Sequence, residues 1–188
     1  MQDVSPTVGK GSILLADPFL LDPNFQRSVI LVTEYAEEGV VGFVLNNPTT
    51  LKLSQAIENL TDIDVPLYLG GPVEPESLNF VHRLGDRIPE STEIGNGVFW
   101  GGDFELMIAM IRNGEVSPDD YRFFLGYAGW SSKSHLQREL DENSWFVTGM
   151  RKRYIFDDAT KELWGNILRD MGGDYAMLIH APAHPSLN

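Results

Sequence analysis

The chain has 188 residues, 43% hydrophobic and 22% charged, with no cysteine and a formal net charge of −13. The length suits one domain with a real core, and the composition excludes a disordered chain. The missing thiols exclude disulfides, iron–sulfur clusters, cysteine zinc sites and cysteine nucleophiles.

The first ten residues carry no basic-then-apolar leader pattern. No apolar run approaches the roughly 20 residues needed to span a bilayer. The expectation is a cytoplasmic protein without membrane association, a single domain over 1–188 with an ordered core of about 10–172 and a tail at 181–188. Ser12–Ala16 reads as a short strand ended by Asp17-Pro18, with Phe19-Leu20-Leu21 plugging a loop before a second Asp-Pro at Asp22-Pro23. Ser28–Tyr35 and Val40–Leu45 are strands, and the Gly39-ended link between them suits a hairpin. Leu53, Ala56, Ile57 and Leu60 fall at i, i+3, i+4 and i+7 and predict a short amphipathic helix.

Pro66–Leu69, Leu78–Leu84 and Val98–Trp100 read as further strands. Asp103 caps a helix with an apolar stripe of Phe104, Met107, Ile108 and Ile111, stopped at Asn113-Gly114. Arg122–Tyr127 is β-prone and runs into a glycine turn at Gly126-Tyr127-Ala128-Gly129-Trp130. Ser134 starts a helix carrying Leu136 and Leu140, with Gln137 in capping-box position. Trp145–Thr148 and Arg153–Phe156 are predicted as strands around a turn at Gly149. Asp157 or Asp158 caps a last helix that buries Leu163, Trp164, Ile167, Leu168 and Met171 and ends at Gly172-Gly173. Strands outnumber helices without alternating regularly with them, which predicts an α+β fold with a bent, mixed, mostly antiparallel sheet and about four helices.

Chemistry-bearing motifs are few. There is no G-x-S-x-G elbow, no phosphate-binding P-loop and no complete dinucleotide fingerprint. His180 and His184 have helical metal spacing, but Pro182 between them opposes a helix, so no metal or other cofactor is expected. The 27 acidic residues against 14 basic ones repel a phosphate backbone, so direct nucleic-acid binding is not expected either. The one basic run, Arg151-Lys152-Arg153, reads as a solvated strand edge. The paired acids sit at turns and helix starts, where capping explains them. Three glycine-rich strand ends remain, at Gly70-Gly71-Pro72, Gly101-Gly102-Asp103 and Gly126–Trp130. Each suits a tight turn, and any of them could also line a pocket.

Together these segments resemble the AlgH/YqgE family of bacterial proteins. The likeness rests on Gly11–Pro18, Phe25-x-Arg27-Ser28-Val29, Gly42-Phe43-Val44-Leu45-Asn46-x-Pro48, Gly70-Gly71-Pro72-Val73, Phe124-x-Gly126-Tyr127-Ala128-Gly129-Trp130, Glu139-Leu140 and Asn143-x-Trp145. It covers residues 10 to 172. The chain departs from the pattern at Asn47, where a basic residue is common, and at Ser134-His135-Leu136, where Gly-Gln-Leu is usual. The resemblance implies an α+β fold with a partly barrel-like bent sheet. It also implies an uncharacterised protein named for a transcriptional regulator, with no established biochemical activity. Without a helix-turn-helix, regulation through DNA contact is not expected. The reading is a non-catalytic protein that binds a protein partner or a small ligand. The candidate ligand residues are Arg27, Asn46, Gly70, Gly71, Tyr127 and Trp130, on the assumption that the strand ends converge. The alternative is an enzyme of unrecognised type, using His82 or an acidic residue in a pocket near the glycine-rich strand ends; a cleft joining His82 to a carboxylate would favour it.

Overall fold

A computed structural model describes residues 7–157 and 160–182. Ten strands form one bent sheet. They are β1 (Ser12–Ala16), β2 (Val29–Ala36), β3 (Gly39–Val44), β4 (Pro48–Lys52), β5 (Pro66–Leu69), β6 (Val73–His82), β7 (Thr92–Gly95), β8 (Val98–Trp100), β9 (Tyr121–Trp130) and β10 (Trp145–Gly149). The hydrogen-bonded order is β10-β1-β2-β3-β9-β6-β8-β7, and β4 reaches it through β5, which pairs with β9. Every pairing is antiparallel except β5 with β9. The ends of this order curl toward each other. A Cβ built on Gly11, just before β1, would lie 3.0 Å from the Ile94 carbonyl of β7. No ladder closes the gap, so the sheet is barrel-like without being a closed barrel.

Six α-helices cover the sheet among the described residues: α1 (Leu53–Ala56), α2 (Phe104–Arg112), α3 (Lys133–Asp141), α4 (Lys152–Phe156), α5 (Leu163–Met171) and α6 (Gly173–Met177). Strand alternation splits the core into faces. Ile13, Leu15, Val29, Leu31 and Phe43 point one way and pack with Trp164, Ile167 and Leu168 of α5. Leu14, Ala16, Ile30 and Val32 point the other way, with Trp130, Trp145 and Leu136 of α3. A third cluster packs α2 through Met107 and Ile108 onto Leu67, Phe80 and Phe123. The Trp164 indole donates to the Ala16 carbonyl at 2.9 Å and pins α5 to β1.

Several predicted elements are corrected. Arg153–Phe156 is helical, and Arg151-Lys152-Arg153 leads into α4 instead of edging a strand. The three-residue apolar run Tyr154–Phe156 after Arg153 fits either period, and burial of Tyr154, Ile155 and Phe156 on one cluster favours the helix. The predicted helix from Leu53 to Leu60 stops at Ala56. Ser132, not Ser134, caps α3 by accepting the His135 N–H at 3.1 Å. Asp157 follows α4, Glu162 precedes α5, and Asp158 lies outside the described residues. Asp103 caps α2 as expected, accepting the Leu106 N–H at 2.9 Å.

The largest correction concerns Gly126–Trp130. These residues are not a turn but the second half of the ten-residue strand β9. On one edge β9 pairs first with β5, at Phe123–Leu125, and then with β3, at Ala128–Trp130. On its other edge it pairs with β6. The link from β5 to β6 must therefore cross β9, and Gly70-Gly71-Pro72 is all the chain it uses. A Cβ on Gly70 would meet the Gly126 carbonyl at 2.4 Å, and one on Gly71 would meet the Tyr127 carbonyl carbon at 2.1 Å. A Cβ on Gly126 would meet the Gly71 oxygen at 2.5 Å, and Gly126 also has φ +64°. Backbone lies directly on backbone here, which only glycine allows.

Candidate functional site

The seven residues singled out from the sequence do not gather in one hollow. Arg27 and Asn46 do meet. The Asn46 amide donates to the Arg27 carbonyl at 2.9 Å and accepts the Val29 N–H at 2.9 Å, tying the start of β2 to the end of β3. The Arg27 guanidinium turns toward the α5 side of the sheet. It donates to the Ala181 carbonyl at 2.6 Å and lies 5.0 Å from the centroid of the Trp164 ring. Trp130 points to the opposite face, in the cluster with Leu14 and Ile30. Its indole N–H and that of Trp145 both donate to one Glu139 oxygen, at 2.8 and 2.7 Å, with the rings edge to face at 6.0 Å. Gly70 and Gly71 press on the Gly126–Ala128 backbone with no space between. Tyr127 is half-buried at that crossing, and its phenol is pushed above its ordinary value by desolvation and by the Glu74 carboxylate.

His82 stands elsewhere, at the end of β6, and is fully buried. Its Nδ1 accepts the Leu84 N–H at 3.2 Å, which leaves Nε2 as the protonated nitrogen that donates to the Gly101 carbonyl at 3.1 Å. Its ring stacks between Phe80 and Phe99. Burial pushes its pKa down, so the imidazole stays neutral. Both nitrogens thus serve backbone groups, and neither faces a carboxylate. His180 closes a short 3-10 turn, Leu178–His180, and His184 lies outside the described residues. No group of three or more potential metal ligands occurs among the described residues.

Two polar clefts lie near α4. In one of about 280 Å³, Arg153 and the Tyr154 hydroxyl both donate to Asp170, with Arg151 3.6 Å from the same carboxylate. These donors hold the Asp170 carboxyl below its usual range, the Tyr154 bond foremost, and burial raises the Tyr154 phenol. The other, about 250 Å³, is lined by Tyr68, Tyr121, Phe156 and the buried Arg122. Arg122 donates to the Asp157 carbonyl at 3.1 Å and lies 4.5 Å from the centroid of the Tyr68 ring. In both clefts the cations already have partners within the chain.

A third hollow has a different character. A mostly apolar groove of about 390 Å³ is lined by Ile57, Leu78, Asn79, Phe80 and Phe104, with Gly101 and Gly102 at one end. It exists because β8 is only three residues long. β8 pairs with Val81 and His82 of β6, the Gly101 N–H reaches the Phe80 carbonyl at 2.9 Å, and the chain then turns away into α2. The turn uses φ +68° at Gly101 and +107° at Gly102, and a Cβ on Gly101 would face open space. One of the three glycine-rich strand ends seen in the sequence thus lines a groove, while the other two form the crossing. Ile57, Leu78 and Phe104 carried no signal of this role, because apolar periodicity marks a buried face and cannot reveal that a covering strand stops short.

The comparisons with known proteins agree with this architecture. A family model described as AlgH-like matches residues 13–176. A UPF0301 protein of Chlorobium limicola is 41% identical over 178 residues, covering 95% of both chains. One from Cytophaga hutchinsonii is 40% identical over 180 residues, covering 95% of this chain and 98% of its own. A crystal structure of a Corynebacterium diphtheriae protein superposes with a TM-score of 0.76 at 23% identity over 92% of each chain, a likeness of fold. The solution structure of the AlgH protein from Pseudomonas aeruginosa gives 0.73 at 28% identity, over 98% of this chain and all of that one. Matched along nearly its whole length in sequence and in fold, the chain belongs to the AlgH-like family.

Proposed function

We propose that this protein is non-catalytic and acts by binding a protein partner at the face where the apolar groove meets β6, and that any effect on transcription runs through that partner. The observation that carries the reading is the half-exposed apolar lining of Leu78, Ile57 and Phe104 beside the strand position that β8 vacates. Binding is favoured over an enzyme centred on His82 because that imidazole is buried with both nitrogens bonded to backbone. It is favoured over direct DNA contact by the charge of −13.

A photo-crosslinking benzoylphenylalanine at position 104, expressed in the native cell, tests the reading. The expected result is a discrete protein adduct that disappears when Leu78→Asp is added. A control at Phe19, exposed in a loop before β2, is expected to give none. Equal adducts at 104 and 19, or adducts insensitive to Leu78→Asp, would count against the groove face.

A further inference from the structure

We infer that the partner docks as an extended segment, adding a strand to β6 beside Leu78, with apolar side chains at alternate positions and lysine or arginine residues flanking them. The inference rests on the binding face proposed above and adds its mode and chemistry.

The mode follows from ladder parity. In an antiparallel strand, backbone groups of alternate residues face opposite edges. The Phe80 carbonyl faces β8, because Gly101 donates to it. On the far edge of β9, the Leu125 carbonyl faces away from β6, because Gly70 donates to it at 2.7 Å. Phe124 therefore faces β6 and pairs with Asn79. Leu78 shares the parity of Phe80, so its N–H and C=O point toward the position where β8 has already ended. Side chains alternate as well, which sets Leu78 and Phe80 on one face, where both line the groove. A strand laid along this edge would bond the Leu78 backbone and drop every second side chain among Ile57, Leu78 and Phe104. That is strand addition, in which main-chain bonds give affinity and alternate pockets give specificity. The usable edge is short, since the β6 register breaks between Val73 and Leu78 and Glu74 has φ +44°.

The flanking charge follows from what surrounds the groove. Glu74 and Glu76 lie on β6 itself, Glu58 follows Ile57, and Glu105 follows Phe104; all four are exposed. None forms an ion pair with a lysine or arginine among the described residues, although Asp62, Asp64 and Asp120 nearby in sequence do. An apolar centre with an acidic rim that no lysine or arginine pairs at close range fits a segment of the opposite pattern.

The test is selection of phage-displayed random 12-residue peptides on the full chain, followed by synthesis of the enriched sequences and amide exchange of the protein by NMR. Enriched peptides are expected to alternate apolar residues between basic flanks and to slow exchange at the Leu78 amide. They should lose roughly tenfold in affinity on Glu74→Lys/Glu76→Lys, a surface change that leaves the fold intact. Helical or acidic peptides, or binders that leave Leu78 exchange unchanged, would overturn strand addition. If those binders are still blocked by Leu78→Asp, the binding face itself survives. No enriched peptide, or binding indifferent to Leu78→Asp, would overturn both.

Discussion

Gly71→Ala tests the crossing of β5 to β6 over β9. The new Cβ would stand 2.1 Å from the Tyr127 carbonyl carbon, 2.2 Å from its oxygen and 2.3 Å from the Ala128 nitrogen. All three are backbone atoms in a central strand, so no side chain can swing aside. Relief requires lifting the link by about an ångström, which costs roughly 1–3 kcal/mol in overpacking. It also stretches the Gly70-to-Leu125 and Val44-to-Gly70 bonds, at 2.7 and 2.8 Å, each worth about 1 kcal/mol. The total, about 4 kcal/mol, is a large share of the roughly 5–15 kcal/mol that holds a domain together. For a chain of this size it corresponds to a fall in Tm of about 10 °C. The assay is urea unfolding followed by circular dichroism, with Gly149→Ala as control. Gly149 is exposed, and a Cβ there meets nothing within 4 Å, so it should shift stability by less than about 0.5 kcal/mol. If Gly71→Ala falls within 1 kcal/mol of that control by the same scale, the tight crossing is not what the glycines serve.

Three further outcomes are expected. Glu139→Leu strands the indole N–H groups of Trp130 and Trp145, which share one carboxylate oxygen, and should cost about 2–4 kcal/mol in urea unfolding; Glu139→Gln, which keeps an acceptor, should cost less than half of that. His82 has a folded pKa below its unfolded value, so the unfolded chain takes up its proton first. Its contribution is complete above about pH 6.5 and is lost as pH falls from there toward the folded pKa. The stability difference between wild type and His82→Asn should therefore shrink between pH 7 and 5.5, and a difference constant with pH would contradict the buried neutral imidazole. Asp170→Asn leaves Arg151, Arg153 and Tyr154 without their common anion and should cost about 1–2 kcal/mol at pH 7. Because the folded Asp170 pKa is lowered, that cost should fade as pH drops below about 4.

The fold class was legible because it rests on local signals. Alternating apolar strands, the Asp103 cap with its stripe of Met107 and Ile108, and the β2–β3 hairpin all announce themselves within a dozen residues. What stayed hidden depends on distant neighbours. β4 is exposed at four of its five positions, so nothing in its own pattern marks a strand; pairing with β5 makes it one. Gly126 and Gly129 look like turn residues, and only a link arriving from Gly70-Gly71 explains Gly126 inside a strand. The candidate ligand residues drew attention because they are distinctive, but Asn46, Gly70, Gly71 and Trp130 are distinctive for joints and packing. The groove near Leu78 was invisible for the opposite reason: its residues are ordinary, and the feature is a strand that ends early.

The central place of β9 also has a kinetic side. Its three ladders join Val40 to Trp130, Leu67 to Phe123 and Phe80 to Phe123, all far apart in the chain. At roughly 5–20 residues per second, β3 would leave the ribosome on the order of ten seconds before the strand that shields its edge. β6 waits beside it with the same need. Folding must then be a late, largely collective event with high contact order, and slow for that reason. During the wait the nascent chain carries apolar strands with unprotected edges, which leaves it prone to misassociation if synthesis stalls before Tyr121.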